Sequence, residues 1–181
     1  MSFTETPLSG LLVFEPNVHR DERGYFFESY NAHTFKAAGI ETTFVQDNQA
    51  RSTYGVLRGL HYQCGEHAQA KLVRVLEGEV LDVAVDLRIG SPTYGQWYSV
   101  LLSAENQKQL FVPRGFAHGY VVLSRTAEFF YKCDNFYHKA SEGGIRFDDP
   151  ALGIDWGLPA HDVLLSEKDS LLPSFGNHLP A

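Results

Sequence analysis

The sequence has few of the residues and segments that mark secreted, membrane or disulfide-rich proteins. Among its 181 residues there are two cysteines, Cys64 and Cys133, which are too few for a disulfide framework. No apolar run approaches the ~18 residues that a membrane helix needs. The opening residues, MSFTETPLSG, lack the basic and apolar regions of a signal peptide. We therefore expect a soluble protein of the reducing cytoplasm.

Basic residues are also scarce. Fifteen Lys and Arg stand against 22 Asp and Glu, which gives a formal net charge of −7. A chain of this sign is poorly suited to gripping the phosphates of DNA or RNA, although a local basic pocket could still hold one small phosphorylated ligand. We expect neither nucleic acid nor a membrane among its partners.

Aromatic residues are abundant and make up 13% of the chain. A disordered chain would not carry so many, and 181 residues suit one domain with a sizeable core. There is no internal repeat, low-complexity tract or linker. We therefore expect a single domain over residues 1–181.

Glycine and proline recur at short intervals, as they do where turns join many short strands. A helix is predicted over residues 31–38, with Asn31 as its N-cap and Gly39 just past its end. Residues 140–181 are expected to be irregular, with a helical turn near 166–169. Strands are predicted at 11–15, 25–30, 43–48, 56–63, 70–77, 79–86, 96–102, 109–112, 118–123 and 127–137. This pattern favours an all-β sandwich, jelly roll or barrel.

Three stretches combine polar side chains with glycine or an apolar strand. In residues 58–63, strand alternation predicts that Arg58 and Leu60 share one face, whereas His61 and Gln63 lie on the other. Lys71 opens an otherwise apolar strand, where a lysine faces either solvent or a ligand. His118 ends the pattern P-x-G-x-x-H. Taken singly, each residue is as readily a hydrogen-bonded histidine or a solvated lysine as part of a site.

The P-x-G-x-x-H pattern over residues 113–118 resembles the second signature motif of the cupin superfamily. In metal-binding cupins a first motif supplies H-x-H, because a divalent metal needs several converging ligands. Here the corresponding residues are His61, Tyr62 and Gln63, so the second histidine is missing. The residues support a cupin-type barrel and give no support for a metal.

Several segments together resemble the dTDP-4-dehydrorhamnose 3,5-epimerase family. They include FVQDN, GVLRGLHYQ, QAKLVRV, VPRGFAHGY, EFFYKCDNFY and LLSEKD, in family order from Phe14 to Asp169. The resemblance implies an all-β, cupin-type double-stranded β-helix (jelly-roll) barrel with minor helices. It also implies a homodimer that exchanges N-terminal strands, and no cofactor.

The implied reaction is epimerisation of C3 and C5 of dTDP-4-dehydro-6-deoxy-D-glucose through an enolate, in dTDP-rhamnose biosynthesis. By this resemblance His61 is the base, Asp169 orients it, Lys71 stabilises the enolate and Tyr131 donates a proton. The substrate-binding residues implied in the same way are Arg23, Phe26, Glu28, Gln46, Asp47, Asn48, Arg58, His118, Tyr137, Glu142 and Lys168.

Alternatives stay open at this point. Relatives commonly carry Ser where this chain has Ala50, and some relatives invert only C3 or only C5 of a related dTDP-4-keto sugar. A metal-dependent cupin and a non-catalytic nucleotide-sugar binding module are the more distant alternatives.

Overall fold

The computed structural model describes residues 1–181 and is built mainly of antiparallel strands. The strands are β1 (Ser2–Glu5), β2 (Leu12–Glu15), β3 (His19–Asp21), β4 (Gly24–Phe26), β5 (Gln46–Thr53), β6 (Leu57–Gln63), β7 (Lys71–Glu77), β8 (Glu79–Asp86), β9 (Trp97–Ser103), β10 (Gln109–Val112), β11 (Phe116–Val122), β12 (Thr126–Cys133) and β13 (Glu142–Gly144). The helices are α1 (Ala32–Ala37) and α2 (Glu167–Ser170). Neither helix has the length and apolarity needed to cross a membrane.

Two sheets make up the body of the protein. The first has strand order β1-β2-β10-β7-β12-β5 and the second has order β13-β6-β11-β8-β9. The hairpin β3-β4 pairs only with itself. A cluster of 15 buried residues joins the sheets and includes Val73 and Phe129 from the first with Val80 and Phe116 from the second. The two sheets therefore pack face to face, which confirms the predicted all-β jelly-roll fold.

The outer faces of both sheets are also covered. On the first sheet, Phe35 of α1 packs with Phe14 and Phe111. On the second, Ile145 and Trp156 from the C-terminal region pack on the strands. Burial on both faces explains why β8 contains apolar residues at adjacent positions instead of alternating with exposed polar ones.

The helix prediction is confirmed at both ends. The Asn31 side chain accepts hydrogen bonds from the backbone N–H groups of His33 and Thr34, and this satisfies donors that the first helical turn leaves free. Gly39, with φ +83°, follows the C-cap residue. The helical turn predicted near 166–169 is α2, capped by Ser166.

Several strand predictions are wrong. The segment 43–48 was expected to be a strand, but β5 spans Gln46–Thr53. The prediction missed these bounds because the residues of β5 are mostly polar and form no apolar face. Of the aromatic run 25–30, only the first two residues lie in a strand, β4 (Gly24–Phe26). Tyr30 instead packs on Phe35 from an irregular segment. The strand expected over 127–137 ends at Cys133, and β1, β3 and β13 were not predicted.

Candidate active site

A cavity of about 430 Å³ opens between the two sheets and is lined by His61, Lys71, His118 and Tyr131. A second cavity of about 290 Å³ adjoins it, and the two share His61, Lys71 and Tyr131 as lining residues. The three shared side chains therefore mark the junction of two compartments. Together these compartments can hold a ligand with two chemically different parts.

A bulge in β6 determines which side chains enter the cavity. His61 pairs with His118 and Arg58 pairs with Tyr120, so three steps along β6 face two steps along β11. The extra residue places both Arg58 and His61 on the cavity side. The prediction that Arg58 shares a face with Leu60 is therefore wrong, and Leu60 packs in the outer core instead.

Glycines make this bulge possible. Gly59 has φ +139°, a backbone conformation that residues with a Cβ rarely adopt. A Cβ on Gly59 would also lie 2.6 Å from the Cα of Gly119 on the neighbouring strand. Two facing glycines therefore let β6 and β11 approach closely where the bulge turns His61 and Arg58 inward.

His61 is held by a carboxylate from the C-terminal region. Its Nε2 lies 2.6 Å from the Oδ1 of Asp169, which is itself buried. Burial raises the pKa of Asp169, but hydrogen bonds from His61, Gly59 and Ser166 outweigh that effect and hold its pKa below the usual value. Asp169 is thus an ionised acceptor that fixes the ring orientation and leaves Nδ1 of His61 without a hydrogen bond.

The segment that carries Asp169 crosses the mouth of the cavity. Leu164 exchanges backbone hydrogen bonds with Gly55 and Leu57, and α2 follows with Ser166 as its N-cap, whose Oγ accepts the backbone N–H of Asp169. The short helix is therefore anchored at its start, and Asp169 lies in its first turn.

Lys71 and Tyr131 lie on the sheet opposite His61. The Lys71 ammonium is 5.9 Å from the centre of the Tyr131 ring. Burial lowers the pKa of Lys71, and neighbouring Cys133, Asp82 and Glu142 only partly counteract this. Burial raises the pKa of Tyr131 to about 12. The phenol is therefore a proton donor at neutral pH.

His118 forms a second histidine–carboxylate pair. Its Nε2 lies 2.9 and 3.0 Å from the two carboxylate oxygens of Asp82. Both residues are buried between the sheets, and the ring lies nearly parallel to that of Phe129. His118 is therefore rigidly held in the wall of the larger cavity.

Other predicted binding residues also line these cavities. Arg58 donates from Nε to the Ser52 hydroxyl at 3.1 Å, which leaves the outer guanidinium nitrogens free. Gln46 and Asn48 line the smaller cavity. Three further residues form one hydrogen-bonded group at the rim: the Tyr137 hydroxyl and the Lys168 ammonium both donate to the Glu142 carboxylate.

Four predicted binding residues lie elsewhere in this chain. Arg23 and Phe26 are on the exposed β3-β4 hairpin, where Arg23 pairs with Asp21 and Phe26 is 70% exposed. Glu28 accepts a hydrogen bond from Asn31. Asp47 is on the outer face of β5, in an ion pair with Lys132 at 2.9 Å. None of the four contributes to the two cavities.

Sequence reasoning missed Asp82 and Ser52. Asp82 was not among the predicted site residues, although a carboxylate between apolar residues is itself a sign of a buried partner. Nothing in the sequence marks Ser52 as a site residue, because it is one of several polar residues in its strand. The side chains form no cluster of three or more His, Cys, Asp or Glu residues able to hold a metal ion.

This arrangement suits proton transfer on a bound molecule. A carboxylate-oriented imidazole lies on one wall, a phenol lies on the opposite wall, and a lysine beside the phenol can stabilise a developing oxyanion. Although the net charge of the chain is −7, Arg58, Lys71 and Lys168 bring positive charge to the cavity.

Fold and site together define a cupin-type jelly-roll protein equipped for acid–base chemistry. The family model described as dTDP-4-dehydrorhamnose 3,5-epimerase matches residues 5–177, and the chain belongs to this family. It is 56% identical over 171 residues to the dTDP-4-dehydrorhamnose 3,5-epimerase of Pseudomonas aeruginosa, with 93% of each chain covered.

Solved structures agree with this assignment. The crystal structure of dTDP-4-dehydrorhamnose 3,5-epimerase from Elizabethkingia anophelis is 57% identical, with a TM-score of 0.94 over 98% of this chain and 97% of that one. The Legionella pneumophila dTDP-6-deoxy-D-glucose-3,5-epimerase, in complex with dTDP-4-keto-L-rhamnose, is 50% identical. Its TM-score is 0.93, and the match covers 97% of this chain and 93% of that one.

Proposed function

We propose that this protein epimerises C3 and C5 of dTDP-4-dehydro-6-deoxy-D-glucose to give dTDP-4-dehydro-L-rhamnose, in dTDP-rhamnose biosynthesis. Family membership over residues 5–177 supports the activity. The observation that carries the mechanism is the presence of a base and an acid on opposite walls of one cavity, His61 on β6 and Tyr131 on β12.

Inversion of a carbon requires that a proton leave one face and return to the other. Both C3 and C5 are adjacent to the C4 ketone, so loss of either proton gives an enolate. His61, oriented by Asp169 at 2.6 Å, removes the proton through its free Nδ1. Tyr131 returns a proton from the opposite wall. Its pKa of about 12 favours donation to a carbanion over abstraction of a C–H proton.

Lys71 supports the same step from the Tyr131 side of the cavity. A fixed ammonium close to the C4 oxygen stabilises the negative charge that develops there. It does so inside a cavity between the two sheets, where charge interactions are stronger than in bulk solvent. Burial lowers the pKa of Lys71, so activity depends on keeping this group protonated.

The nucleotide part of the substrate occupies the smaller cavity and the rim. Gln46 and Asn48 offer amide groups to the base, and the exposed ring of Tyr137 offers a stacking surface. Arg58 and Lys168 supply the cationic donors for the diphosphate. His118 contacts the sugar from the wall of the larger cavity.

The active form is a homodimer, and the β3-β4 hairpin reaches the partner's site. All six hairpin strand residues are exposed, and the hairpin forms a two-stranded sheet of its own. This would give Arg23, Phe26 and Glu28 the binding role that they lack within one chain. The two free thiols, Cys64 and Cys133, fit a cytoplasmic location.

The test is incubation with dTDP-4-keto-6-deoxyglucose in deuterated water, with label at C3 and C5 read by NMR. We expect label at both carbons and conversion to the rhamno-configured product. His61→Asn should abolish both, whereas His33→Asn, an exposed histidine on α1, should behave like the wild type.

The other outcomes separate the alternatives. Label at one carbon only identifies a single-centre epimerase. Tight binding of the substrate without label identifies a binding module. Activity abolished by chelation and restored by one metal identifies a metal-dependent cupin, and unchanged exchange in His61→Asn contradicts the assigned base.

A further inference from the structure

Asp82 is a fully buried carboxylate at the centre of β8 to which the proposed mechanism gives no task. Both of its oxygens face the Nε2 of His118, at 2.9 and 3.0 Å, and its side chain makes no other hydrogen bond. A carboxylate without water or several donors is costly to bury. The groups around Asp82 must therefore stabilise its charge between the sheets.

The first group that Asp82 controls is the His118 ring. Because a carboxylate only accepts hydrogen bonds, the facing Nε2 must carry the proton. Nδ1 of His118 makes no hydrogen bond within the chain, and the ring lines the larger cavity. Asp82 thus leaves Nδ1 with a lone pair that can accept a hydrogen bond from a ligand hydroxyl.

The second group is the Lys71 ammonium on the facing sheet, which forms no ion pair. The groups around it are Tyr131 and Cys133 of β12, Asp82, Glu142 of β13, and the two cavity histidines. The Cys133 thiol has its pKa raised by burial and stays neutral. Glu142 already accepts hydrogen bonds from Lys168 and Tyr137. Of the two carboxylates near Lys71, Asp82 is therefore the one that forms no ion pair with another Lys or Arg.

We propose that Asp82 is a positioning residue that acts through two neighbours at once, fixing the proton of His118 on Nε2 and supplying the negative charge that keeps Lys71 protonated. The proposal rests on the proposed function for the task of Lys71. Burial holds the pKa of Asp82 above its usual value, and the neighbouring His118 and Lys71 only partly counteract this.

The first test needs no activity. In 15N-labelled wild-type protein, NMR of the His118 ring at neutral pH should report a proton on Nε2 and an unprotonated Nδ1. A proton on Nδ1 of the neutral ring would overturn the proposal, whether or not the protein is an epimerase.

A stability cycle tests the link to Lys71 in the same way. Asp82→Asn and Lys71→Met should each lower the midpoint of urea unfolding. The double variant should be more stable than the sum of the two losses predicts, since it leaves no unpaired charge. Strictly additive losses would show that Asp82 and Lys71 do not interact.

The pH profile of epimerisation tests the functional consequence. Asp82→Asn should lower kcat at neutral pH by about tenfold or more, and should move the alkaline limb of kcat about one pH unit lower, because Lys71 loses an opposite charge. Asp86→Asn is the matched control. Asp86 is equally buried on the same face of β8, but its carboxylate is held by Arg88, Ser91 and Thr93 outside the cavity.

Asp86→Asn should lower stability and leave the pH profile unchanged. A pH profile for Asp82→Asn that overlays that of the wild type would overturn the proposed role of Asp82 in catalysis. If wild-type protein shows no exchange at all, the proposed function fails, while the NMR and unfolding results still decide the role of Asp82.

Discussion

Substitution of Asp169 by Asn tests the pairing that the proposed mechanism depends on most. The carboxylate lies 2.6 Å from Nε2 of His61, and only 5% of the Asp169 surface is exposed. The amide keeps the size of the side chain but removes the charge. The amide oxygen can still accept a hydrogen bond, but His61 loses the negatively charged partner that stabilises its protonated form after proton abstraction.

The size of the effect follows from the strength of that hydrogen bond. A hydrogen bond to a charged group contributes about 1.5–3 kcal/mol. Since ~1.4 kcal/mol corresponds to tenfold in rate, full loss of this interaction in the transition state lowers kcat by about 10- to 150-fold. The effect should fall on kcat more than on KM, because the interaction strengthens as His61 gains charge.

The assay is initial-rate deuterium incorporation at C3 and C5, and the matched control is Glu167→Gln. Glu167 is an exposed residue of the same short helix α2 and does not line the cavity. We expect Glu167→Gln to retain wild-type kcat. If Asp169→Asn stays within twofold of the wild type at both carbons, the carboxylate does not assist His61 and the reasoning fails.

The same variant makes a prediction about stability and pH. The folded-state pKa of Asp169 is lowered, so its carboxylate contributes stability that is present above the unfolded-state pKa of ~3.9. That contribution is lost as pH falls through the lower, folded-state pKa. The wild type should therefore be more stable than Asp169→Asn at pH 7, and the difference should shrink below about pH 4 in urea titrations.

Three further substitutions test other parts of the structure. Tyr131→Phe should lower net epimerisation by about 10²–10⁴-fold. Deuterium should still be lost from labelled substrate into water, because His61 remains. If epimerisation and deuterium loss fall by the same factor, Tyr131 is not the proton donor. Ser166→Ala should cost about 1 kcal/mol in urea unfolding, because α2 loses its N-cap; unchanged stability would show that the cap is not needed. Gly119→Ala should give little folded protein by circular dichroism, since its Cβ would lie 2.8 Å from the Arg58 carbonyl oxygen; a wild-type spectrum and melting curve would contradict this close approach.

The sequence predicted the fold class and half of the residues that line the two cavities, for different reasons. Short strands and frequent glycine favoured an all-β sandwich, jelly roll or barrel, and the resemblance of the motif ending at His118 to a cupin motif supported a cupin-type barrel. His61, Lys71 and Tyr131 were assigned from family motifs, since nothing in their spacing reveals that three separate strands bring them to one cavity. Long-range pairing of this kind depends on tertiary structure, which local patterns do not record.

The failures have equally local causes. The orientation of Arg58 was wrong because strand alternation assumes a regular strand, and the bulge at Gly59 adds one residue. β5 was misplaced because its residues alternate between cavity and solvent, and neither face is apolar. Asp82 was overlooked as a site residue because its partner His118 lies 36 positions away in the chain.

The division of the reacting groups between two sheets ties reaction geometry to the packing of the core. Facing sheets are held ~10 Å apart by the side chains between them, and here those side chains include Phe116 and Leu102. The distance between His61 and Tyr131 is therefore set by core residues that do not contact the ligand. Trimming the core would narrow that gap as well as lower stability, so the two properties cannot be tuned independently in this protein.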